Sequence, residues 1–125
     1  MSKSRETLEL ARDDWRPFFE TLTKEFQGHD ATIEILSRDY GDQVEAEHLP
    51  FASITYDDKD DVVIVAVGGK DGRYPVELRH MIEHPQRILA DSLTPEVPWA
   101  IEIVGTDDTR TIVTIRLRPA LLPPH

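Results

Sequence analysis

The chain has 125 residues, no cysteine, 14 Lys+Arg against 24 Asp+Glu and a formal net charge of -10. Leu, Ile, Val and Phe make up 34 of the 125 residues, above the roughly 20 % below which chains stay disordered, so a single folded domain spanning 1–125 is expected. Zero cysteines exclude disulfides, thiolate zinc sites and a cysteine nucleophile and fit a reducing cytoplasm, while the acidic balance argues against nucleic acid and anionic membranes, which need clustered positive charge.

No apolar run of signal-peptide or membrane-spanning length occurs, so neither export nor a membrane anchor is expected. Residues 1–11 read as a tail or, through Leu8 and Leu10, as a short edge strand. From Asp13 to Gln27 the residues Trp15, Phe18, Phe19, Leu22 and Phe26 fall on one stripe of a helix, with Arg16, Glu20, Thr23 and Lys24 on the other side. Pro17 is tolerated within a first turn, which favours Asp14 as the cap, and Gly28 is a natural stop. The stripe reads as core.

After Gly28 the apolar period becomes 2, and the remainder reads as strands separated by turns. Thr32 to Ser37 is followed by a turn over Asp39 to Asp42. A long second strand then runs from Val44 to Tyr56, broken at Leu49-Pro50, because proline cannot donate to a ladder and marks a bend or bulge. With Asp57 to Asp61 as the loop, Tyr56 should face Val62 and Ile54 should face Ile64. Val62 to Val67 is apolar on both faces, the mark of a strand covered on both sides.

Gly68, Gly69 and Gly72 form a loop before a further alternation of Val76, Leu78, His80 and Ile82 against Glu77, Arg79 and Met81, which His84-Pro85 breaks. Ile88 lies beyond it, and residues 91–98 read as a connection. In the last hairpin Trp99, Ile101 and Ile103 share a face with Val113, Ile115 and Leu117, and Glu102 lies near Thr114 or Arg116. Residues 119–125 form a Pro-rich tail. The resulting expectation is an α+β fold in which an N-terminal amphipathic helix packs on a curved, mainly antiparallel sheet of about six strands, with a small, partly open barrel as one form.

The sharpest motif is His80-Met-Ile-Glu-His84, which matches the H-x-x-E-H of zinc peptidases. That chemistry needs both histidines on one helix face, with the glutamate acting on a zinc-bound water. Here strand alternation precedes the motif, and Pro85 pushes His84 out of helical geometry. Strand residues four apart are roughly 13 Å distant, too far for one tetrahedral ion. No metal site, cofactor or catalytic residue is therefore expected, and a hydrolase using His80, Glu83 and His84 is the alternative. The acidic run Asp57 to Asp61 fails the calcium-loop pattern, with Val62 where glycine and Gly68 where glutamate would stand, and reads as a solvated turn. Neither a G-x-S-x-G elbow nor a phosphate loop occurs.

Arg12-Asp-Asp-Trp-x-x-Phe-Phe19, Thr32-Ile-Glu-Ile35, Gly41-Asp-Gln-Val-Glu-Ala46, Leu49-Pro-Phe51, Tyr56-Asp-Asp-Lys-Asp-Asp61 and His80-x-Ile-x-x-Pro85 occur in that order. Together they resemble a bacterial family, the domain of unknown function numbered 5335, over roughly residues 6 to 123. The resemblance implies a small stand-alone bacterial domain and carries over no activity, cofactor or catalytic residue. The functional expectation is thus a non-enzymatic cytoplasmic domain acting through a protein partner or as a homo-oligomer. Candidate binding residues are His48, His80 and His84, near the bends at Pro50 and Pro85, where a histidine can change charge near pH 6.5. A small ligand held between helix and sheet by Phe18, Phe19 or Phe26 is a further alternative.

Overall fold

A computed structural model of the protein describes residues 7–39, 41–69, 77–91 and 99–117. The expectations placed on residues 1–6, Tyr40, Gly72, Val76, the connection 92–98 and the tail 119–125 lie outside the described residues, as does the side chain of Trp99. In chain order the elements are β1 (Thr7–Glu9), α1 (Arg12–Phe26), β2 (Asp30–Ser37), β3 (Gly41–Asp57), β4 (Val62–Gly68), β5 (Glu77–Glu83), β6 (Arg87–Asp91), β7 (Trp99–Val104) and β8 (Arg110–Arg116). The strands form one antiparallel sheet in the order β1-β6-β7-β8-β2-β3-β4-β5. Among the described residues it has eight strands rather than about six, and β1 precedes the helix. β1 is the short edge strand offered for residues 1–11, and β6 is the addition, a short segment whose alternation is too brief to stand out from a loop.

The helix begins earlier than its acidic residues suggest. Ala11 is extended and its carbonyl accepts the Asp14 N–H at 2.8 Å, without any side-chain cap. Asp14 is therefore inside the first turn and Pro17 lies beyond it. Pro17 removes one internal hydrogen bond, but both it and Asp13, whose carbonyl loses the donor, are exposed to water. Gly28, with φ 90°, stops the helix as expected. Trp15, Phe19 and Leu22 are buried, while Phe18 and Phe26 pack on the same core from its margin.

The 17-residue β3 organises the sheet. Its first part pairs with β2 and its last part, from Phe51, pairs with β4. The strand bends between them, with His48 at φ 54° and ladder irregularities opposite Ala31 to Glu34 and around Phe51 to Ser53. Pro50 thus stands at the bend. Past the bend, β3 has a second edge that carries no strand among the described residues, and the helix covers it. Thr23 Oγ1 donates to the Ile54 carbonyl and accepts the Ile54 N–H, both at 3.0 Å, and Gln27 Nε2 donates to the Ala52 carbonyl. One exposed backbone edge is thereby closed by side chains.

The β3–β4 register is shifted by one residue from expectation. Tyr56 faces Val63 and Ile54 faces Val65, because Asp57 belongs to the strand and faces Val62. The Asp57 carboxylate accepts the N–H groups of Lys59 and Asp60, and Asp61 returns the chain at φ 52°. In the last hairpin Glu102 faces Ile112 and pairs with Arg110 at 2.6 Å, not with Thr114 or Arg116. Gly105 N–H donates to the Thr109 carbonyl to close that turn.

The sheet curls around one core, in which Ile33, Val63, Val65, Ile88, Ile101 and Val113 meet the helix stripe. Its two ends approach each other. The chain leaves β5 at one end of the sheet and, through His84, Pro85 and Gln86, enters β6 next to the other end. His80 of β5 also reaches Thr111 of β8 across the curl at 3.5 Å. Closure into a barrel does not occur among the described residues: β1 and β5 are separate edges.

Candidate functional site

The two edges differ in how they are guarded. β1 is three residues long, and a fork from Arg87 Nε and Nη2 to Glu9 Oε1, with Thr7 Oγ1 donating to Asp91, ties it to β6. β5 is seven residues long and, among the described residues, pairs only with β4. One row of its N–H and C=O groups therefore faces outward, the arrangement that accepts another strand. Its alternation places Ile82 in the core beside Val63, with His80 and Leu78 following on that face. On the outer face Arg79, Met81 and Glu83 stand in a row. Met81 is 56 % exposed beside Ile64, and Leu78 is 36 % exposed.

His80 sits half-buried in this strand, and burial pulls its pKa below the ordinary histidine value against a smaller opposing pull from Glu45. The neutral ring is thus the form that the fold favours. His84 ends the strand at φ 54°, outside right-handed helical geometry, with its N–H on the Asp61 carbonyl at 2.8 Å.

Around His84 lies a polar corner that joins three parts of the fold. Tyr56 Oη donates to Asp61 Oδ1 at 2.7 Å, His84 Nδ1 lies 3.2 Å from Asp61 Oδ2, and Arg12 reaches both Tyr56 Oη and Asp61. Arg12 Nη2 also donates to the Pro85 carbonyl, and its guanidinium stacks 4.3 Å from the Trp15 ring centre. The Tyr56 hydrogen bond holds the Asp61 carboxyl below its usual range against desolvation, with His84 and Arg12 assisting. Desolvation and the same bond to Asp61 push the Tyr56 phenol up. The corner locks the start of α1, the β3–β4 turn and the β5–β6 link. It fixes where β5 ends.

The candidate histidines are not brought together. His48 pairs with Asp30 at 2.7 Å beside a pocket of about 230 Å³ lined by Thr32, Glu34, Val44 and Arg116, among others. His80 faces Thr111 and His84 faces Asp61. Among the described residues no group of three or more His, Cys, Asp or Glu could hold a metal ion. Phe19 is fully buried among core side chains, and the His48 pocket lies across β8, β2 and β3 rather than between helix and sheet. Sequence reading missed the Arg12–Tyr56–Asp61 corner. It does place Met81 with Glu77 and Arg79 on the face opposite Ile82, and Met81 is exposed there.

No described helix is long and apolar enough to cross a membrane. A model described as "Family of unknown function (DUF5335)" matches residues 6–124. An uncharacterized protein of Aquifex aeolicus (strain VF5) is 29 % identical over 123 residues, covering 95 % of this chain and 98 % of the relative. No solved structure matches.

Proposed function

The chain belongs to the family of unknown function DUF5335, and on that footing we propose that it is a non-enzymatic cytoplasmic domain that binds protein by adding a strand to the edge of β5. The observation that carries this reading is the contrast between edges. β1 is short and tied down, and the free half of β3 is closed by Thr23 and Gln27. β5 keeps its full length with Met81 and Leu78 exposed. Backbone groups on such an edge supply affinity, and alternate side chains supply selectivity. The His80, Glu83 and His84 set lends the hydrolase alternative no support, because each histidine is turned to a different partner. A cysteine-free sequence fits the cytoplasmic placement.

The test places a photoreactive amino acid at Met81 or at Val44, two exposed apolar positions of nearly equal accessibility, 56 % and 57 %. The expected result is a protein adduct of discrete mass from the Met81 position alone. Equal labelling from Val44, or none from Met81, contradicts the reading.

A further inference from the structure

We infer that the strand added to β5 is β5 of a second copy of this chain, paired antiparallel about a twofold axis through Met81. This deepens the reading above and rests on it. Twofold pairing keeps the outer face of one copy continuous with that of the other, so the outer-face residues Arg79, Met81 and Glu83 stand opposite outer-face residues of the partner. The register then follows from charge. Centring on His80 sets the acidic residues Glu77 and the partner's Glu83 opposite each other, twice. Centring on Arg79 opposes two arginines. Like charges directly opposite are destabilising, and opposite charges there are favourable.

Centring on Met81 removes both conflicts. Arg79 then faces the partner's Glu83, and Glu83 faces the partner's Arg79. Met81 meets the partner's Met81 between these pairs, which covers the most exposed apolar side chain of the strand. On the inner face His80 falls opposite the partner's Ile82. A register centred further along runs past His84, whose φ of 54° ends the strand. The same residues that blunt this edge toward other strands are complementary to their own copy.

Sedimentation equilibrium of the full chain tests this. The unsubstituted protein should show a concentration-dependent monomer–dimer equilibrium. Arg79→Glu alone and Glu83→Arg alone each place like charges opposite one another twice, and each should weaken dimerisation about tenfold or more, the factor corresponding to 1.4 kcal/mol. The two substitutions combined restore opposite charges and should recover the dimer. Met81→Lys, which leaves both charged positions intact, should also abolish it. Circular dichroism and thermal unfolding confirm that each variant is folded before its mass is interpreted. A protein that stays monomeric at every concentration overturns the second copy as partner, and the Met81 adduct then reports independently on binding of a different protein. A dimer indifferent to the single charge changes, or not recovered in the combined variant, overturns the Met81-centred register.

Discussion

Phe19→Ala is expected to cost about 3–5 kcal/mol, the range for removing a fully buried aromatic ring when its surroundings relax only partly. Phe19 has no exposed surface, and it links the helix to the strands that curl over it. Domains of this kind are stable by about 5–15 kcal/mol in total, so the loss is a large part of the whole. Urea unfolding should show a lower midpoint with an unchanged slope. Phe18→Ala, at the half-buried neighbour whose ring centre lies 5.9 Å away, provides the comparison and should cost clearly less. Equal costs for the two positions would contradict the placement of the helix stripe.

Asp61→Ala should be the most damaging change at the polar corner, costing about 2 kcal/mol. It removes the acceptor for Tyr56 Oη, the partner of His84 and the anion beside Arg12, and it places alanine at φ 52°. Asparagine tolerates that backbone and keeps an acceptor, so Asp61→Asn should retain most of the stability. The figure is moderated by solvent, because the Asp61 side chain is 34 % exposed and Arg12 is 54 % exposed. The pH dependence has a defined sign. A carboxyl whose folded pKa lies below its unfolded value of 3.8 contributes stability that is complete above that value. The contribution is lost as pH falls through the folded pKa. Thermal melts between pH 5 and pH 2, as an order-of-magnitude window, should therefore fall less steeply for Asp61→Asn than for the unsubstituted chain.

The parts of the fold that were legible in the sequence are those that depend on repeated local pattern. Trp15, Phe19 and Leu22 recur at helical spacing and are buried, and Val62 to Val67, apolar throughout, forms a strand flanked on both sides. Pro50 and Pro85 mark real bends. What pattern alone does not convey is where a turn ends. Asp57 has the composition of a loop residue, yet its carboxylate folds back on Lys59 and Asp60 while its backbone stays in the ladder, which moves the register by one. Arg87–Asp91 escaped notice because only Ile88 and Ala90 point inward.

The polar corner was illegible for a different reason. Arg12, Tyr56, Asp61 and His84 lie on separate elements, and what unites them is the curl of the sheet and two left-handed backbone positions. Arg12, Trp15, Tyr56, Asp61 and Pro85 all belong to the segments that carry the family resemblance, but no spacing rule links them. The free edge of β5 likewise follows from topology. A strand's sequence shows which face is apolar, whereas its position at the end of the sheet depends on every other pairing.

Placed on this frame, the net charge of -10 has a narrower meaning than solubility alone. Much of it lies in turns such as Asp57 to Asp61, whereas β5 carries Arg79 between Glu77 and Glu83. That local alternation makes one edge compatible with its own copy while the rest of the acidic surface discourages indiscriminate association.

Amide hydrogen exchange along β5, measured as protein concentration is raised, tests the working role of this edge most directly. The alternate amides of Glu77–Glu83 that point away from β4 should exchange freely in dilute solution and become protected as the chain associates, while those of Thr7–Glu9 keep their rates. Outward amides of β5 that exchange at the same rate at every concentration would contradict the account.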